Sequence, residues 1–179
     1  MKPFKEFTIQ FVGLKIGEHY FDYEISNKFF ESFEYDEFND VNIKADVKLT
    51  KKTTLLELDF SINGFVNVNC DLTNEPYNQP IENEFSLVVK FGEEYNDEND
   101  EILVIPHGEY QVNVAQYIYE LIVLSVPSKR IHPGVNDGTL ESDILKKLDE
   151  LSPKIKEEKT EEEDIDPRWN KLKNLLTDK

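Results

Sequence analysis

The sequence predicts an α+β fold: an antiparallel β-sheet, curved or barrel-like, packed on one long buried helix, with a C-terminal helical extension. Three observations carry this expectation. Residues 40–62 hold two runs of apolar–polar alternation joined by a short polar turn, the pattern of an antiparallel hairpin. Further alternating runs follow at 66–70 and 85–91. Residues 113–126 then form a nearly uncharged stretch, bounded by Asn113 and Pro127, that must be buried on most sides if it is helical.

In chain order, residues 4–12 alternate at Phe7, Ile9 and Phe11 and predict a strand. Gly13 and Gly17 bracket a turn. His19–Ser26 predicts a second strand, with Tyr20 and either Phe21 or Tyr23 as its aromatics. Residues 27–34 are ambiguous; Asn27 is a candidate cap for a short helix carrying Phe29, Phe30 and Phe33. Val41, Ile43, Ala45, Val47 and Leu49 form the first arm of the hairpin, and Leu56, Leu58, Phe60 and Ile62 the second. Asn63-Gly64 permits a left-handed turn or bulge, after which Val66, Val68 and Cys70 continue on one face. Beyond a loop at 76–80, Phe85, Leu87, Val89 and Phe91 form a fourth run. The acidic stretch 92–101 is expected to be a solvated loop, and Ile102–Ile105 a short strand.

Asn113 is a candidate N-cap for the helix 113–126, and Pro127 forces Val126 out of helical dihedrals. Leu140, Ile144, Leu148 and Leu151 make one stripe of an amphipathic helix. Lys156–Asp164 has no apolar residue. Asp166-Pro167 then starts a second amphipathic helix, with Trp169, Leu172, Leu175 and Leu176 on its apolar stripe and Arg168, Lys171 and Lys173 as cations. The expected organisation is therefore a β-rich unit at 1–134, a short helix at 135–152, an acidic linker at 153–165 and a C-terminal amphipathic helix at 166–179.

The chain carries 37 acidic against 20 basic residues, a net charge of −17. Nucleic-acid affinity follows Lys and Arg contacts to phosphate, so broad non-specific binding is not expected, and DNA is not an expected partner. No apolar run is long enough to span a bilayer. Residues 1–7 lack an apolar signal core, and the single cysteine gives no disulfide framework, so the expected compartment is the cytoplasm.

Catalytic and metal chemistry find no support. Cys70, His19, His107 and His132 are scattered without zinc-ligand spacing, and no cofactor is expected. Cys70 is expected to be a packed strand-end residue, with Asp71 opposing thiolate formation. Two features stand out as binding candidates. One is the loop Lys129-Arg130-Ile131-His132, whose cations either complement a helix C-terminus or bind a partner. The other is the helix with Arg168, Trp169, Leu172 and Leu176, which either packs on its own domain or docks on a partner. The hairpin lysines Lys48, Lys51 and Lys52 are candidates to add to the loop.

Several segments together resemble the YceD family, a bacterial and plastid group associated with accumulation of large-subunit ribosomal RNA. They are Gly64-Phe65-Val66-Asn67-Val68-Asn69-Cys70, Gly108-Glu109-Tyr110, Ile118-Tyr119-Glu120-Leu121, and Leu124-Ser125-Val126-Pro127-Ser128-Lys129. The ending Asp166-Pro167-Arg168-Trp169-Asn170-Lys171-Leu172-Lys173 is similar to the family's terminus. Many relatives have a second cysteine three residues after the first; here Thr73 stands there, which argues against a cysteine-pair role. The resemblance implies a non-enzymatic accessory factor in large ribosomal subunit biogenesis. The expected partner is a basic ribosomal protein, held by the acidic loops, or large-subunit precursor RNA, touched by the basic loop. The competing expectation is a protein-interaction adaptor, unrelated to the ribosome, that docks through the helix at 166–179.

Overall fold

The computed structural model describes residues 4–140 and 142–152. The expected linker 153–165 and helix 166–179 lie outside those residues, and with them Arg168, Trp169, Leu172 and Leu176. The elements run β1 (Thr8–Ile9), β2 (Gly17–Ile25), α1 (Asn27–Glu31), β3 (Asp40–Lys51), β4 (Leu55–Asn69), β5 (Pro76–Gly92), β6 (Asn96–Asn99), β7 (Ile102–Pro106), β8 (Val112–Asn113), α2 (Ala115–Ser125), α3 (Pro133–Asn136) and α4 (Asp143–Leu151).

Six strands form one sheet in the order β2-β3-β4-β5-β7-β6, and β1 pairs with β8 in a separate two-stranded ladder. The fold is α+β and the sheet is mostly antiparallel; the β5–β7 pair is parallel. After β5 the chain reverses in β6, the outermost strand, and returns as β7 between them. The sheet is open, not closed into the expected barrel-like form: β2 and β6 end the strand order and do not pair with each other. Both edges carry charge, Glu18, Asp22 and Glu24 on β2 and Asp97 and Glu98 on β6, which discourages pairing with another chain's edge.

The alternation read in the sequence becomes one apolar face. Leu49, Leu58 and Leu87 lie opposite one another across β3, β4 and β5, all at 1% exposure or less. Burial of each such side chain contributes roughly 1.5–3 kcal/mol. The stretches expected as separate strands at 56–62 and 66–70 are one continuous strand, β4. It passes Gly64 at φ +154°, where a Cβ would sit 2.2 Å from the Asn42 carbonyl oxygen. Glycine is needed there for close approach of two backbones, not for a turn.

Residues 76–80 are also strand, not the expected loop, and pair with 65–69 of β4. Pro76 and Pro80 are tolerated because β5 has β7 on its other side only at 88–92. The first strand is shorter than expected. Only Thr8–Ile9 pairs, and Phe7 and Phe11 reach the core from turns tied to the 110–114 segment, through Phe11 N–H to Tyr110 O and Val114 N–H to Phe7 O.

The helix is three turns long and is not buried on most sides. Ala115, Ile118, Leu121 and Ile122 are buried against β4 and β5, whereas Leu124 is 81% exposed. Asn113 belongs to β8, yet its side-chain oxygen accepts the Ala115 N–H at 3.0 Å, the first-turn bond expected of a cap. Val126 is extended before Pro127, as the proline requires. Tyr119 stacks on Phe33, with ring centroids 4.2 Å apart, within an aromatic cluster built by α1 and the turn at 4–7. Tyr117 points the other way, toward Phe60 and Phe85.

Candidate functional site

The candidate cations fall into two separate groups. Lys51 and Lys52 sit at the hairpin end of β3, while the loop 129–132 packs on the turn 70–75 at the opposite end of β4. The separation along the sheet is about 45 Å at a strand rise near 3.3 Å per residue. One continuous patch does not form.

Each hairpin lysine has an intramolecular partner. Lys48 pairs with Asp59 at 2.9 Å across β3–β4, which raises the lysine pKa and lowers that of the carboxylate, hydrogen bonding being the first cause of each. Lys52 pairs with Glu57. Lys51 Nζ donates to the carbonyls of Phe11 at 2.8 Å and Leu14 at 2.9 Å, fastening the turn at 11–14 to the hairpin.

The loop 129–132 is held in a similar way. Asp71 Oδ2 accepts the Arg130 N–H at 2.7 Å, and the Asp71 N–H donates to Arg130 O at 2.8 Å. The guanidinium lies between two acids, 3.6 Å from Asp71 and 3.7 Å from Glu37. His132 Nδ1 accepts the Gly134 N–H at 2.9 Å, which holds the ring against the start of α3. Its edge meets the Tyr77 ring, with centroids 5.4 Å apart. Lys129 is exposed.

Cys70 lies just past the end of β4, 2% exposed, and is an anchor for this loop: the His132 N–H donates to its sulfur at 3.3 Å. Burial pushes the thiol pKa up. Hydrogen bonds from the His132 backbone, the Thr73 hydroxyl and the backbone of Leu72 and Thr73 outweigh it and leave the pKa below the usual value. The expectation that Asp71 would oppose thiolate formation missed these donors, which only the folded turn brings together.

The sequence did not reveal one further candidate, a groove on the surface of the described residues. A groove of about 900 Å³ opens between α2 and the β6–β7 hairpin. Leu103, Ile105, Tyr117, Leu121 and Leu124 supply apolar lining; Asp97, Asp100, Glu109 and Glu120 supply charge. No Lys, Arg or His lines it, and none of these four acids has a cationic partner among the described residues. Tyr117 is pushed up to about 12, first by burial and then by Tyr95, itself ionising only at high pH, and by the carboxylates of Asp97 and Glu120. The groove thus combines apolar lining with negative charge. The acidic run 92–101, expected as a plain loop, contributes through β6, whose ladder with β7 fixes Asp97 opposite the helix. One signal for the groove was in the sequence: Tyr117, Glu120, Leu121 and Leu124 share a helix face at spacings of three, one and three, a face distinct from that of Ala115, Ile118 and Ile122.

Among the described residues, no group of three or more His, Cys, Asp and Glu side chains is arranged to hold a metal ion. No helix there is long and apolar enough to cross a membrane.

A family model described as Large ribosomal RNA subunit accumulation protein YceD matches residues 58–176. No curated protein and no solved structure matches the chain.

Proposed function

The chain belongs to the YceD family of large ribosomal RNA subunit accumulation proteins, and from this we propose that it is a non-enzymatic accessory factor that holds a basic ribosomal protein during large-subunit assembly. The observation that carries the proposal is the groove between α2 and β6–β7. Four acids without cationic partners among the described residues line it beside apolar side chains, whereas Lys48, Lys51, Lys52 and Arg130 have partners within the chain. A ribosomal protein segment rich in Lys and Arg, with one or two large apolar side chains, matches both properties. The net charge of −17 favours its encounter and disfavours long-range approach of RNA. Precursor RNA, with its denser negative charge, would then draw the basic protein away, so that the factor shields and releases its partner without chemistry of its own.

Binding of purified basic large-subunit ribosomal proteins to the full chain tests this reading. Affinity should fall steeply with salt, because exposed charges are screened within about 10 Å at 0.1 M. Replacing Asp97, Asp100 and Glu120 by their amides should weaken it. Salt-insensitive binding, or none, would defeat the proposal. Binding of precursor RNA alone, lost in a Lys129→Ala variant, would move the function to the loop 129–132.

A further inference from the structure

We propose that residues 166–179 of the same chain dock in the groove between α2 and β6–β7 and occupy it until a basic partner displaces them. The displacement rests on the function proposed above; the docking does not.

Among the described residues the groove is lined by acids, amides and apolar groups and by no cation. Residues 166–179 carry four cations (Arg168, Lys171, Lys173, Lys179) against two acids, Asp166 and Asp178. They also carry Trp169, Leu172, Leu175 and Leu176 at spacings of three, three and one, enough for one apolar face. The preceding stretch 157–164 holds six acids and one lysine and is repelled by the same groove. Charge complementarity therefore selects the final segment. Among the apolar residues that line the groove, Leu124 is 81% exposed and offers that segment apolar surface.

Reach and concentration are compatible with docking. The thirteen residues 153–165 span at most about 45 Å when extended. A tether of this length gives an effective concentration on the order of millimolar, so even weak contacts would keep the groove largely filled. A basic ribosomal protein would then have to compete, and weakly cationic passers-by would be excluded.

Trp169 is the only tryptophan in the chain, which makes the test direct. In the full chain at low salt its emission should be blue-shifted and protected from a soluble quencher. The double charge reversal Asp97→Lys with Asp100→Lys, at two exposed positions, should lower the docking equilibrium constant about tenfold, the scale of two exposed ion pairs. The emission should then move toward that of solvated indole while the urea midpoint is kept. Solvated emission in the parent chain, or a blue shift unaffected by the reversal, would overturn the proposal. A shift that disappears on dilution would assign the occupied groove to a second copy and would overturn it too. Adding a basic ribosomal protein should release Trp169. Docking that responds to the reversal but not to that addition would uphold the groove's occupant and overturn the displacement, and with it the function proposed for the groove.

Discussion

Replacing Asp71 separates the contacts that hold the loop 129–132 in place. Its carboxylate accepts the Arg130 N–H at 2.7 Å and lies 3.6 Å from the guanidinium. A hydrogen bond to a charged acceptor contributes about 1.5–3 kcal/mol. The ion pair, with side chains 38% and 30% exposed, adds only about 0.2–1 kcal/mol. Because water can reach the Arg130 N–H once it is freed, the lower end applies, and Asp71→Ala should destabilise the chain by about 2 kcal/mol. Asp71→Asn keeps an acceptor oxygen and loses the charge, so it should cost about 0.5–1 kcal/mol. Urea unfolding of the full-length variants measures both, with an unchanged slope confirming that only stability has moved. Equal losses for the two variants would refute the reasoning, since charge and not the hydrogen bond would then hold the loop. Losses below about 0.5 kcal/mol in both would show that the loop is fastened elsewhere.

Three further outcomes follow from the packing. Gly64→Ala should destabilise by about 2 kcal/mol or more, from strain at φ +154° and the clash with Asn42 O, read as a lower thermal midpoint. Lys51→Met should cost about 1–3 kcal/mol and increase hydrogen exchange at 11–17, because the carbonyls of Phe11 and Leu14 lose their donor. Tyr23, Tyr35 and Tyr117 are pushed up to about 12, in each case first by burial. The folded state therefore holds these phenolic protons more tightly than the unfolded state. The associated stability is complete below pH 10 and is lost as pH rises from about 10 to about 12. Ultraviolet difference titration should show these tyrosines ionising after the exposed ones, with unfolding setting in over that window; ionisation of all eight near pH 10 in a folded chain would contradict it.

The parts of the fold visible in the sequence were those in which one face is buried along a whole element. Val41 to Leu49 and Leu56 to Ile62 alternate because β3 and β4 are covered on one side and wet on the other. Where a tertiary neighbour overrode the local signal, the reading failed. Gly64 looks like a turn residue until β3 is seen to approach its backbone, and Pro76 and Pro80 look like loop residues until β5 is seen to lack a second neighbour there. The cationic residues were visible, but their partners were not: Arg130 meets Asp71 and Glu37 from 59 and 93 positions away. The groove was hidden for the same reason. Its acids come from β6 and the turn that follows it, from the turn after β7 and from α2, and nothing in the primary sequence places Asp97 opposite Glu120.

The pairing of β1 with β8 joins Thr8 to Asn113 and Ile9 to Val112. During synthesis the first of these partners leaves the ribosome roughly a hundred residues before the second, about 5–20 s at common elongation rates. Through that interval Phe7, Ile9 and Phe11 have no β8 segment to lie against, while the β3–β4 hairpin can already form from neighbours in the chain. The segment 7–11 is thus made well before its partner and is among the last to be fastened. A nascent chain stalled before residue 112 should carry a folded hairpin beside a 7–11 segment still open to proteases and chaperones.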